Sequence, residues 1–211
     1  DLGLHVSAGM AYFPDTAEEV LDQNSDPITA AAKMGEQLIV FKENSIFAIG
    51  YSYDGRDVYY PVRECHSAIG CDMPGSVQLI DNRLVFAHSR SGVHMLVSTD
   101  NALENIVKPL SANINALLLR EPDLKNACSC DFDRYYWLKA GRHVYLWDYD
   151  ATPYYNYADY DKAQRRLAWY RFDNMDAVVF CPLEGALCYG GADGIVRLTR
   201  GQNDFGKPIN A

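Results

Sequence analysis

RLVFAHSRSGVHMLVST (residues 83–99) is an apolar run, a polar turn containing Gly92 and a second apolar run. Two such runs around a short glycine-bearing turn read as a β-hairpin. The chain writes the same figure again as RYYWLKAGRHVYLWD (134–148) and as ALCYGGADGIVRLTR (186–200), and more loosely as QLIVFKENSIFAIGY (37–51).

Each hairpin has further strand-like runs beside it. The first set reads ITAAAKMG, QLIVFKEN, SIFAIGYS and VYYPVRE. The second reads SVQLIDN, RLVFAHSR, GVHMLVST and NIVKPLS. The third reads NACSCDFD, RYYWLKA, HVYLWDY and RRLAWYRF. The fourth holds DAVVFCPLEG, ALCYGGA and GIVRLTR, followed by GQNDFGKPINA. Several runs are continuously apolar, as expected of strands buried on both faces. Glu43-Asn44, Asp81-Asn82, Gly92, Gly141 and Gly194 supply the turn chemistry between them.

The second runs begin near Leu38, Leu84, Tyr135 and Leu187, at spacings of 46, 51 and 52 residues. A four-strand unit at that period is the signature of a β-propeller blade. The expected fold is all-β: one propeller domain over residues 1–211, with about four to five four-stranded blades. A two-sheet β-sandwich is the competing architecture. LHVSAGM (4–10) is expected to pair with the three-stranded fourth set, closing a ring of four, or else with a fifth blade outside these residues. DTAEEVLDQNSD (15–26) reads as a short helix or ordered loop. YDATPYYNYADYDKAQRR (149–166) is a long Tyr-rich insertion within the third set, and loops of that length are usually functional or flexible.

Composition narrows the function. The 211 residues carry 28 acidic and 19 basic side chains, a net charge of −9, which repels nucleic acid and anionic membrane surfaces. The longest basic run is Arg165-Arg166, and no apolar run is long enough to span a membrane. DLGLHVSAGM lacks the pattern of a signal peptide and begins without Met, so the chain reads as processed or as a piece of a longer protein. The six cysteines (65, 71, 128, 130, 181 and 188) show no zinc spacing, and reduced core thiols are expected in place of disulfides or metal ligands.

The usual catalytic motifs, a G-x-S-x-G elbow, a phosphate-binding loop and H-E-x-x-H, do not occur. Gly190, Gly191 and Gly194 read as turn residues. His88 and His94 flank one turn and are placed to face each other across it, a metal pair without a third ligand; satisfied strand histidines are the preferred reading. The pairs Asp131/Asp133, Asp148/Asp150 and Asp159/Asp161 resemble oxygen ligands in spacing, but turn capping is the preferred role. SYDGRDVYY (52–60) partly echoes the aspartate turn of propeller glycosidases, and Trp147-Asp148 echoes a propeller dipeptide.

Read in order, DPITAAAKMGEQLIVFKENSIFAI (26–49), IGCDMPGSVQLIDNRLVFAHSRSGVHML (69–96), PLSANINALL (109–118), RYYWLKAGRHVYLWDY (134–149) and NDFGKPINA (203–211) cover most of the chain. Together they resemble the β-propeller structural proteins of bacteriophage and prophage tails and head–tail junctions. The resemblance implies a non-enzymatic virion component without cofactor, found in the virion and, before assembly, in the bacterial cytoplasm, with other phage structural proteins as partners. It brings no catalytic residues. The expected interface is Tyr154, Tyr155, Tyr157 and Tyr160, with Arg165 and Arg166 as polar anchors, since Tyr and Arg dominate interface hot spots. Self-association through an open blade edge is a further expectation. Two rival readings are a propeller that binds or cleaves glycans, which needs a carboxylate-lined cleft, and a host scaffold propeller binding peptides.

Overall fold

The computed structural model describes residues 21, 25–56, 58–97, 107–151, 167–173, 175–192 and 194–198, together with the backbone of 203–204 and 207–208. The run 4–10, most of 15–26 and the stretch 152–166 lie outside the described residues.

The described chain is all-β, with short helical turns at Pro74–Ser76, Asn115–Leu118 and Leu124–Asn126. Its first sheet contains β1 (Ile28–Met34), β2 (Gln37–Lys42), β3 (Ile46–Ile49) and β6 (Val62–His66). Between β3 and β6 stands a small hairpin of β4 (Ser52–Tyr53) and β5 (Val58–Tyr59). The second sheet holds β7 (Gln78–Ile80), β8 (Arg83–His88), β9 (Gly92–Leu96) and β10 (Val107–Pro109). The third holds β11 (Cys128–Phe132), β12 (Tyr135–Ala140), β13 (His143–Asp148) and β14 (Ala168–Phe172). The fourth holds β15 (Val179–Leu183), β16 (Ala186–Gly191) and β17 (Gly194–Arg197). A last pair, β18 (Asn203–Asp204) and β19 (Lys207–Pro208), follows. These four sheets are antiparallel meanders laid down in chain order, so the two-sheet sandwich does not describe them.

One strand is misplaced by the sequence reading. VYYPVRE (58–64) was expected to form the fourth strand of the first sheet, but that strand is Val62–His66 and pairs with β3. Pro61 separates it from β5, and Gly50 N donates to Pro61 O (3.0 Å) to close the neck of the small hairpin. Proline lacks the donor a ladder needs.

Successive residues of a strand point to opposite faces, and the four sheets use both. On β8, Leu84 and Phe86 turn toward Ile39, Phe41, Ile46 and Ala48 of the first sheet. Their neighbours Val85 and Ala87 pack with Tyr136, Leu138, Tyr145 and Trp147 of the third. On β13, Tyr145 and Trp147 join that cluster, whereas Val144 and Leu146 pack with Phe180, Leu187 and Tyr189 of the fourth sheet. The second and third sheets are therefore sandwiched between neighbours, which explains their unbroken apolar runs.

Polar contacts fix how one sheet meets the next. Ser76 Oγ donates to Met73 O (2.6 Å) and accepts from Ala87 N (2.8 Å), while Ser76 O accepts the Tyr136 hydroxyl (2.7 Å). Gln78 of β7 donates to Ser129 O and Oγ of β11 (3.2 and 3.0 Å). Backbones also touch: β7 lies against β11 and β11 against β15, so the first strands of these sheets converge. Between the first two sheets, Cys71 N donates to Lys42 O (2.9 Å). A Cβ on Gly70 would sit 2.1 Å from that same carbonyl, so the close approach requires glycine.

Tight turns carry the expected conformations in part. Asp81 and Asn82 have φ of 46° and 59°, the paired left-handed geometry of a two-residue hairpin. Asp133-Arg134 and Glu184-Gly185 adopt it as well. All six cysteines are free thiols, with Cys71, Cys130 and Cys188 buried and Cys181 exposed.

Phe86 is fully buried at the first interface, with its ring 5.0 Å from that of Phe41. Leu38 lies one residue from Ile39, on the other face, and is exposed. In urea titrations Phe86→Ala is expected to lose about 3–5 kcal/mol. Leu38→Ala should stay within about 0.5 kcal/mol of the parent.

Candidate functional site

A meander has two kinds of end. At one, the turns between second and third strands meet the segments that link successive sheets. At the other lie the turns between first and second strands and the loops between third and fourth.

The linker end is tied down. Asp72, buried, accepts Ser89 N (2.7 Å) and the Ser89 hydroxyl. Lys125 pairs with Glu43 (3.0 Å), Arg90 donates to Asn44 Oδ1 (2.6 Å), and Asn44 donates to Asp26 (2.9 Å). These contacts join the first two sheets and the segment entering the third. In the next repeat, Glu121 accepts Arg142 N (3.1 Å), His143 Nδ1 (2.5 Å) and the Tyr145 hydroxyl (2.8 Å). Burial pushes the Glu121 carboxyl upward, but these bonds outweigh it and hold it below the usual carboxylate range.

His94 belongs to this region. The strand register sets His88 opposite Gly92 and His94 opposite Phe86, so the two histidines do not face each other as expected. His94 is buried and stacked on Phe86, and its Nε2 lies 2.8 Å from Ser91 Oγ. Desolvation, with His88 and His66 adding to it, depresses its pKa to about 4. His88 and His66 are also depressed, chiefly by burial. His94 is therefore held here as a neutral imidazole. Among the described residues no cluster of three or more His, Cys, Asp or Glu side chains has the geometry of a metal site, and no described helix is long and apolar enough to cross a membrane.

The opposite end is built differently. The β4–β5 hairpin projects from the first sheet with Tyr51, Tyr53, Tyr59 and Tyr60 between 47% and 65% exposed, and Val58 exposed beside them. Its tip is shaped by Asp54, whose Oδ1 accepts Arg56 N (2.9 Å) and whose Oδ2 accepts the Tyr59 hydroxyl (2.5 Å). The Tyr53 hydroxyl donates to Gly55 O (2.8 Å), and Tyr51 meets Tyr60 edge to face at 6.2 Å. The rings are thus held in place while their faces remain in water. A pre-ordered tyrosine loses little freedom on binding, which is why such residues serve as interface anchors.

At the same end of the third sheet, Tyr149 donates to Asp131 Oδ1 (2.7 Å), and its ring lies under the Arg134 guanidinium at 5.5 Å. Arg134 also pairs with Asp150 (2.6 Å). Asp148 Oδ1 accepts Asp150 N and Ala151 N (3.1 and 2.8 Å), the turn-capping role expected of it. The third acidic pair, Asp159/Asp161, lies outside the described residues. Trp147, of the Trp-Asp dipeptide, is a fully buried core residue. A hollow of about 630 Å³ opens between the third and fourth sheets, lined by Phe132, Trp137, Leu187, Asp133 and Arg197 among others.

The interface residues expected from the sequence, Tyr154, Tyr155, Tyr157, Tyr160, Arg165 and Arg166, all lie outside the described residues. The insertion that carries them leaves β13 at this same end, next to Tyr149. The exposed hairpin tyrosines were missed. The signal for them was YSYDGRDVYY (51–60): an Asp-Gly turn flanked by paired tyrosines. No family model matches the chain, and no curated protein matches it.

Two outcomes follow from this geometry. The neutral His94 stabilises the fold fully above its unfolded value of 6.5, and that contribution drains away as pH falls toward about 4. Urea midpoints should therefore drop between pH 6.5 and 4, and His94→Gln should flatten that part of the profile. The bond to Asp54 raises the Tyr59 phenol above its ordinary value. Asp54→Asn is expected to bring the Tyr59 resonance, followed by carbon-13 NMR of labelled tyrosine, back to titrating near pH 10.

Proposed function

We propose that this chain is a non-enzymatic structural component of a phage or prophage virion, in the tail or neck, whose four sheets are successive blades of a β-propeller. The propeller reading is supported by meanders in chain order, by core faces that, among the described residues, are shared between consecutive sheets, and by the converging first strands of the second, third and fourth. The virion reading comes from the ordered resemblance along the chain.

One observation carries the mode of action: four exposed, pre-ordered tyrosines stand on a hairpin at the sheet end that also emits the Tyr-rich insertion. Tyr-rich exposed surface is the composition of protein interfaces. The same end offers poor material for glycan cleavage. Asp131, Asp148 and Asp150 are engaged by Tyr149, by backbone turns and by Arg134. Assembly by surface complementarity uses what the end presents: aromatic faces, hydroxyls and one ordered ribbon.

Immunogold labelling of particles released from the induced parent lysogen, viewed in negative stain, tests this directly. Label is expected at one fixed position on the tail or neck. Tyr53→Ser combined with Tyr59→Ser should leave the thermal midpoint unchanged and remove the label from particles, the result of losing two hot-spot side chains at about 2 kcal/mol or more each. Clean particles with all of the wild-type protein free in the lysate would sink the reading.

A further inference from the structure

The hairpin of the fourth sheet carries two cysteines whose positions are locked to each other. Counting outward from the Glu184-Gly185 turn, the ladder sets Leu183 opposite Ala186, Pro182 opposite Leu187 and Cys181 opposite Cys188. Directly opposed residues of an antiparallel pair project to the same face of the sheet. Their strand neighbours Phe180, Leu187 and Tyr189 pack with the third sheet, so Cys181 and Cys188 share the other face. Among the described residues no other two cysteines stand opposite each other in a ladder.

The backbone pattern fixes their separation. Leu187 O accepts Leu198 N (2.8 Å) and so turns toward the last strand of the sheet, and Pro182 opposite Leu187 has no N–H to give. That pair is the non-hydrogen-bonded kind, and Cys181/Cys188, one step further, is the hydrogen-bonded kind, with Cα atoms about 5.5 Å apart. This lies within the range a disulfide spans, but the Cβ atoms, also about 5.5 Å apart in such a pair, must be drawn toward about 3.8 Å. A bond there is reachable and strained, the type that forms and is reduced again in place of a permanent staple.

The two thiols also divide the labour of such a reaction. Cys181 is exposed, whereas Cys188 is 4% exposed. An incoming molecule therefore meets Cys181, and what Cys188 can meet is Cys181. Arg197, opposite Cys188 on the third strand, completes the row and places a positive charge beside it. That charge attracts an anionic reagent.

We propose that Cys181 and Cys188 form a cross-strand dithiol that is oxidised by low-molecular-weight anionic disulfides, with oxidised glutathione as the type. The Cys181 thiolate attacks one sulfur of the reagent. The reagent's S–S bond breaks, a mixed disulfide forms on Cys181, and one glutathione leaves, taking up the proton that Cys181 released. The Cys188 thiolate then attacks Cys181 Sγ and expels the second glutathione, which takes the proton from Cys188. Two protein thiols lose two electrons in all, and one glutathione disulfide becomes two thiols. The reaction does not depend on the virion reading.

The purified, reduced chain incubated with oxidised glutathione under native conditions tests it. Thiols are counted after denaturation, and intact mass and cysteine linkage are read by mass spectrometry. The six free thiols should fall to four, with the chain two hydrogens lighter, no glutathione retained and Cys181 linked to Cys188. Excess reduced glutathione should restore all six. Cys188→Ser should trap one glutathione on Cys181, and Cys181→Ser should keep all five of its remaining thiols; both should retain the wild-type far-UV circular dichroism. Six thiols left in the treated wild type would overturn the proposal. So would linkage between any other cysteines, or a covalent dimer through Cys181. Should Cys188→Ser fail to fold, the linkage map and thiol count of the wild type decide the matter alone. A bond that excess reduced glutathione leaves intact would also overturn it, by showing a relaxed staple.

Discussion

A β-sheet has two faces, and among the described residues the helical segments are single short turns that cannot cover either. Each sheet is covered by another sheet, and that constraint organises everything else. It requires Leu84 and Phe86 to serve one neighbour while Val85 and Ala87 serve the next. It makes β8 and β9 apolar at almost every position, because neither face is available to water. At roughly 25 cal/mol per Å² of apolar surface, burial on two sides is the dominant favourable term. The hydrogen bonds of Ser76, Gln78 and Tyr136 then select one arrangement among the many that apolar faces alone would permit.

The same constraint explains why the two ends of the sheets differ. Stacked sheets slide unless something fixes them, and the fixing is concentrated where the chain passes from one sheet to the next. Asp72, Glu43, Lys125 and Glu121 all act there. The linker segments are pressed against the neighbouring turns closely enough to require Gly70. The far end is released from that duty. Its loops vary in length from the two residues of Asp81-Asn82 to the long insertion after β13, and rigid elements carrying variable loops are the usual platform for recognition. The ordered hairpin tyrosines therefore stand where the scaffold no longer constrains composition.

Much of this was legible in the sequence, because the relevant rules are local. Asp81-Asn82 announces a two-residue turn, and the flanking runs announce its strands. The failures have equally specific causes. Val58, Tyr59 and Tyr60 are good strand formers, so the run through Pro61 looked like one strand; where the ladder resumes is decided by pairing with β3, a non-local fact. Arg134, at φ 65°, sits in a turn position that its residue type does not advertise. His88 and His94 flank one turn, but the ladder closes on His88 and Gly92, which offsets the two histidines by two positions, and in a strand a small change of register alters every partner. Ser76 gave no signal at all. Its importance comes from Ala87 and Tyr136, 11 and 60 residues away.

The sheet-covering rule also bears on the two sheets at either end of the series. The first sheet meets it at its centre, where Val40 and Phe47 are buried, while Leu38 at the rim is exposed. The fourth sheet repeats the pattern: Cys188 on its central strand is buried, and Val179, Leu183 and Ile195 on the strands beside it are exposed. A central strand is shielded by the side chains of the strands flanking it, so the middle of such a face leaves water before its rim does. The two interior sheets need no such shielding, because each of their faces is closed by a whole neighbouring sheet, and that is why their apolar runs are unbroken while those of the first and fourth sheets are not.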